Sequence, residues 1–311
     1  MSKRRRTEED EEKLNSEETS NGLVQHQSSR IPLLPKELEP SIFGIQPNND
    51  FVRVVSDFLY NHVRKGDVEI EAKLGVLLDK VNRERIKLPV FCETVINPHE
   101  DKWMIFESNM TLEQHKSFNE LLNNRFIETK SPSHKGQPVE YKHTYEIDSF
   151  YDTKEGRIRV TRDRKTGEIV EGGIVQKIRV ADLNIYSPNT KLDYRISVNR
   201  EIPKKMPEGQ HNFERNKDRL SYTHQIVKID LTQVKVSGGG SQDLTHELEV
   251  EFINPRILLE EKLKIERNQE NKYIEILLVM SCKWLNGNWK CTIVKMVKNM
   301  TKLILTVNGE F

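Results

Sequence analysis

The chain has 311 residues, 49 of them Lys or Arg and 48 Asp or Glu, so its formal charge is +1. That balance excludes a bulk field drawing the whole protein onto nucleic acid or membrane, and any electrostatic function has to be local. No apolar run reaches the roughly 18 residues of a spanning helix, and the N-terminus has no secretory signal pattern, so a soluble, non-secreted protein is expected. Cys92, Cys282 and Cys291 are too scattered for a disulfide framework or a zinc knuckle, and no HExxH or similar histidine pair occurs, so a metal would need oxygen ligands.

Residues 1–30, opening MSKRRRTEEDEEKLNSEETSNG, contain no aromatic side chain and are expected as a disordered polar tail, because they bury too little to order. Lys3, Arg4, Arg5 and Arg6 fit a nuclear import signal and equally a solvated terminus. Residues 31–46 hold three prolines and are expected as an extended segment. A catalytic domain is expected over 47–285, and 286–311 carry apolar content that fits helix or strand alike.

NNDFVRVVSDFLYNHVRKG puts Phe51, Val54, Val55, Phe58, Leu59 and His62 on one stripe ahead of Gly66, which predicts a helix. In VEIEAKLG the period changes to two: Glu69, Glu71 and Lys73 share one strand face, and Val68, Ile70, Ala72 and Leu74 the other. A second helix is predicted from Thr111 to Glu128, with Leu112, His115, Phe118, Leu121 and Leu122 at helical spacing. Then follow EYKHTYEIDSFYD, RIRVTRD, EIVEGGIVQKIRV, KLDYRISVNREI, DRLSYTH, QIVKIDLTQVKV and HELEVEF, which with VEIEAKLG make eight strands.

Their faces are the informative part. HELEVEF sets Glu247, Glu249 and Glu251 on one side; DYRISVNRE sets Asp193, Arg195, Ser197, Asn199 and Glu201; VKIDLTQ sets Lys228, Asp230 and Thr232. An antiparallel sheet with one wet face explains any single strand. It explains the set poorly, because three glutamates about 7 Å apart on one face call for cations opposite them. Arg157, Arg159, Lys177, Arg215, Lys217 and Arg219 supply these. Closing about eight strands into a barrel with the polar faces inward reconciles the pattern, and helices would cover the apolar outside. Such an interior suits a divalent cation together with a polyanion.

VEIEAKLG and HELEVEF resemble the paired glutamate strands of the triphosphate tunnel metalloenzymes. The fuller set of RVTRD, KIRVADLNIYSPNTKLDYRISVNRE, RNKDRLSY, KIDLT and ELEVEF is similar to the fungal messenger-RNA 5'-triphosphatase branch, the β subunit of the capping enzyme, over roughly residues 40–255. The resemblance implies an α+β fold built on a closed eight-stranded antiparallel β-barrel with a charged interior, flanked by helices. It implies a hydrolase that removes the γ-phosphate of a 5'-triphosphate pre-mRNA end. Inorganic tripolyphosphate or nucleoside triphosphate hydrolysis by the same fold, and a non-catalytic phosphate- or RNA-binding module, are the alternatives.

By the same resemblance, Glu69, Glu71 and Glu251 would hold Mg2+ or Mn2+, with Glu247 and Glu249 completing the acidic face. Arg159, Lys177, Lys217 and Arg219 would hold phosphate oxygens, and Glu201 would position water. Lys73, Asp148, Arg215, Asp230 and Thr232 fall at supporting positions, and Lys228 stands where arginine is expected. Implied partners are triphosphate RNA, a second copy of the chain in a homodimer, an mRNA guanylyltransferase and the phosphorylated tail of RNA polymerase II, in the nucleus. Residues 20–45 are a candidate contact segment.

Overall fold

The computed structural model describes residues 42–43, 50–64, 66–237, 244–267, 269, 283–285 and 288–290. The tail expected over 1–30 lies outside these residues, as does the extended segment 31–46 apart from Ile42 and Phe43. Of 286–311 only Asn288–Lys290 is described, as a strand paired with Lys283–Leu285.

Chain order begins with helix α1 (Asp50–Val63), strand β1 (Glu69–Asp79), short strands β2 (Thr94–Val95) and β3 (Met104–Glu107), and helix α2 (Leu112–Lys130). Then come β4 (Glu140–Thr153), β5 (Gly156–Asp163), β6 (Ile169–Tyr186), β7 (Asp193–Pro203), β8 (Phe213–His224), β9 (Val227–Ser237), β10 (Leu244–Phe252) and α3 (Arg256–Glu266). The main sheet runs β10-β9-β8-β4-β5-β6-β7-β1, and β1 pairs again with β10, so eight antiparallel strands close into a barrel. Closure removes the free edges that an open sheet would expose at β1 and β10.

Local sequence explains the supports. Thr111 caps α2 through a reciprocal capping box with Gln114, and Gly75 lets β3 cross β1 closely, since a Cβ there would lie 2.2 Å from the Glu107 carbonyl oxygen. The strand alternation points the apolar side chains outward. Ile70, Ala72 and Leu74 of β1 join Leu248, Val250 and Phe252 of β10 in one buried cluster with Val55 and Leu59 of α1, Phe118 and Leu122 of α2, and Leu258 of α3.

The helices cover the outer face along β1, β6, β7, β8, β9 and β10 and, through Phe126 against Tyr141, the start of β4, whereas among the described residues Tyr151 at the far end of β4 and Ile158 and Val160 of β5 form a small separate cluster. Strand β8 starts at Phe213, so RNKDR is strand rather than the approach to one, and β6 continues to Tyr186 past a register shift between Arg179 and Ala181. Leu112 is exposed at the start of α2 instead of lying on its buried stripe. Strands β2 and β3 and helix α3 were not predicted.

Candidate active site

The barrel encloses a cavity of about 570 Å³ whose lining holds nine carboxylates and nine Lys or Arg side chains. Every strand of the barrel contributes, through alternate positions except at the start of β6, where Val170 to Gly173 all reach the cavity, and this is how period-two sequence becomes a charged wall.

One wall is acidic. Glu71 of β1 is the direct cross-strand partner of Glu251 of β10, and Lys73 the partner of Glu249. Glu69 is the partner of Asn199 on β7, whose side-chain amide donates to Glu71 at 2.9 Å and to Glu69 at 3.2 Å. Lysine ammonium groups sit between these carboxylates: Lys177 lies 2.6 Å from Glu69 and 3.2 Å from Glu71, Lys73 lies 2.5 Å from Glu249, and Lys228 lies 2.6 Å from Glu251.

The other wall is basic. Lys217 forms a buried ion pair with Asp148, which also accepts from Thr161 at 2.7 Å. Arg219 stands 3.5 Å from Glu146 and 3.7 Å from Asp230, and Arg159 stands 3.0 Å from Glu201. The Nε–H groups of Arg159 and Arg219 are buried and meet no acceptor among the described residues. Donors left unmet in a cavity are costly unless an anion completes them.

Burial and neighbouring charges tune the ionisable groups in opposite directions. Burial pulls the Lys217 pKa down, and Arg219, Arg215 and Arg159 push the same way against Asp148, so positive charge is crowded there. Burial acts to raise Glu249, but Lys73, Lys217 and Arg219 outweigh it and hold the carboxyl well below the usual range. Glu251 goes the other way: burial raises its pKa and Lys228 only partly opposes this.

All the predicted site residues line this cavity except Glu247 and Thr232. Glu247 is engaged by Arg215 at 2.7 Å, and Thr232, its cross-strand partner, is buried. The polar face predicted for β7 enters the cavity only at Asn199 and Glu201. Asp193 is fully buried elsewhere, accepting from Arg85 and from the backbone of Leu77 and Ser187, and Arg195 turns to Asn184 and Asp182. Lys228 bridges Glu251 and Asp230 as a point charge, without the two-pronged grip an arginine would give. Asn199, Glu146 and Phe150 were not singled out as site residues; each stands two positions from a predicted one, which was the available signal.

Among the described residues no three Asp, Glu, His or Cys side chains form a ready-made metal cluster. The donor set still fits a hard divalent ion, because Glu71 and Glu251 face each other across one strand pair with Glu69 alongside, all offering carboxylate oxygen. The lysine ammonium groups stand where such a cation's charge would act.

A family model for the β chain of the mRNA capping enzyme matches residues 45–284. An mRNA-capping enzyme subunit beta of Schizosaccharomyces pombe is 37% identical over 252 residues, 78% of this chain and 81% of that one. The subunit of the same name from Cryptococcus neoformans is 38% identical over 246 residues, 75% of this chain and 61% of the other. The solved S. pombe Pct1 RNA triphosphatase matches with a TM-score of 0.72 at 34% identity, covering 86% of this chain and 98% of that one, and it has also been solved with the Spt5 CTD. These matches span the same strands that build the charged tunnel, and the chain belongs to the family of mRNA capping enzyme β chains.

Proposed function

We infer that this chain is an RNA 5'-triphosphatase that acts in mRNA 5' capping, hydrolysing the β–γ phosphoanhydride of a 5'-triphosphate end to leave a 5'-diphosphate and inorganic phosphate. The observation that carries the reading is the enclosed tunnel in which Glu71 and Glu251 are cross-strand partners and Arg159, Lys217 and Arg219 stand within the same cavity.

Phosphoryl transfer asks for alignment and charge neutralisation more than for covalent help. Arg159 and Arg219 offer their unmet Nε–H groups to phosphate oxygens, and Lys217 adds a buried cation whose surroundings favour an incoming anion. These charges are fixed by their partners before substrate arrives, so they need no reorganisation during the reaction. Glu201, oriented by Arg159, holds the attacking water in line and takes its proton as the bond from γ-phosphorus to the bridging oxygen breaks. Glu69, Glu71 and Glu251 would hold Mg2+ or Mn2+, which supplies further charge neutralisation on the γ-phosphate. Asn199 orients Glu69 and Glu71, and Lys73 and Lys177 keep that wall balanced.

The reading extends to partners as proposals. The S. pombe triphosphatase solved in complex with the Spt5 CTD supports binding of this chain to a CTD of that kind. An mRNA guanylyltransferase, a homodimeric state and nuclear placement accord with membership of the capping family. Among the described residues no helix is long and apolar enough to cross a membrane.

The test is a substrate panel of 5'-triphosphate RNA, ATP and tripolyphosphate, each with Mg2+, Mn2+ or chelator. Metal-dependent phosphate release that is fastest from RNA supports the proposal. Release from tripolyphosphate or ATP alone would shift it to another substrate, and binding without release would leave a phosphate- or RNA-binding module.

A further inference from the structure

The polar interior of the barrel carries one aromatic ring among the described residues. Phe150 of β4 and Phe213 of β8 are direct cross-strand partners, and their rings stack with centroids 4.6 Å apart and planes 11° from parallel. The Arg157 guanidinium carbon lies 5.4 Å from the Phe213 ring centre. Phe150 is the sole aromatic side chain on the cavity lining among the described residues. It is also the cross-strand partner of Arg159 on β5, so it stands one strand spacing from a phosphate-binding guanidinium.

Core packing does not explain this pair. Neither ring belongs to any of the buried apolar clusters, which lie on the outward faces of the strands, and both rings are only half-buried. The surroundings are open to solvent, since Arg157 and its ion-pair partner Asp152 are each more than a third exposed. A half-buried aromatic ring beside a phosphate site, with a second ring and a guanidinium behind it, has the chemistry that receives an unstacked nucleobase.

We propose that Phe150, backed by Phe213 and Arg157, is the platform on which the first nucleobase of the RNA stacks while its triphosphate lies along Arg159. The platform separates nucleoside-bearing triphosphates from inorganic tripolyphosphate, which has nothing to stack. Every base has a π-face, so it does so without reading sequence. This inference rests on the triphosphatase reading.

The experiment compares a 5'-triphosphate oligoribonucleotide, the same RNA lacking its first base, and tripolyphosphate. These are assayed with the unmodified protein and with Phe150→Leu and Phe150→Tyr. The unmodified protein should show a KM about tenfold lower for the base-bearing RNA than for the abasic one. Phe150→Leu should erase that preference and Phe150→Tyr keep it. Equal KM values for the two RNAs, or a preference that survives in Phe150→Leu, overturns the platform with turnover intact. The comparison between RNAs needs no variant, so a misfolded Phe150→Leu cannot rescue the idea. No phosphate release from any of the three substrates refutes the triphosphatase reading itself and the platform with it.

Discussion

Glu71→Gln keeps the side chain's size and removes one negative charge from the tunnel. Glu71 is 6% exposed, accepts from Asn199 at 2.9 Å and lies 3.2 Å from Lys177 and 3.4 Å from Lys73. A unit charge about 4 Å from another, at an effective dielectric near 20, is worth about 4 kcal/mol. Removing that much from the stabilisation of a bound cation slows turnover about a thousandfold. The fold should survive, because Lys177 keeps Glu69 at 2.6 Å and Lys73 keeps Glu249 at 2.5 Å, so no buried cation is stranded. The stability change is then about 1 to 2 kcal/mol, below the roughly 3 to 5 kcal/mol for stranding one member of a buried pair. Phosphate release from triphosphate RNA, Mn2+ binding by calorimetry and a thermal melt should be read on the same preparation, with the exposed Glu113→Ala as control. Activity retained in full, or a fall in activity matched by a fall in Tm of much more than about 6 °C, would refute the reasoning.

Lys217→Met strands Asp148, which is 1% exposed, and should cost about 3 to 5 kcal/mol. Adding Asp148→Asn should restore most of the Tm but none of the activity; recovery of both would show that Lys217 has no part in phosphate binding. Asn199→Ala removes the buried amide that orients Glu69 and Glu71 and should weaken Mn2+ binding about 10- to 100-fold, with a stability loss of about 1 to 3 kcal/mol. An unaltered Mn2+ titration would count against it. His115 lies 4.9 Å from His246, ring centre to ring centre, and burial, with help from His246, lowers its pKa to about 4 from 6.5. The unfolded chain therefore takes up this proton at higher pH than the folded one, so stability falls as pH drops through that window, by at most about 3 kcal/mol. His115→Phe should flatten the fall, and a denaturant series from pH 7 to pH 4 with the slope unchanged would contradict this.

Most strands of the barrel are readable because a charged inward face alternates with an apolar outward one, so the period is strong even in short pieces such as HELEVEF; the start of β8 is polar on both faces, with Glu214, Asn216 and Asp218 between the inward bases, and RNKDR therefore does not read as strand. Alternation says which face a residue takes, but not how far along the barrel it sits or what it meets. Asp193 and Arg195 share the face of Asn199 and Glu201, yet Arg85, Asn184 and Asp182 claim them outside the cavity. Glu247 follows the same alternation as Glu249 and is taken up by Arg215. Those outcomes depend on partners from distant segments that no local window contains. Helix α3 has only 11 residues, and β2 and β3 have 2 and 4, so pairing and packing decide them more than pattern does. Phe150 was hidden for another reason: an aromatic residue on a polar face looks like noise until Phe213 is placed beside it.

The even match of nine acids and nine bases around the cavity has a thermodynamic consequence. At rest each wall is quenched by its own counter-charges, so a metal ion arriving alone must displace lysines, and a triphosphate arriving alone must compete with carboxylates for arginines. When both arrive, the displaced lysines find phosphate oxygens and the strain on each wall is relieved by the other guest. Whatever factor the metal adds to RNA affinity, the RNA must return to the metal, so the two binding equilibria are locked together and the tunnel fills as a pair.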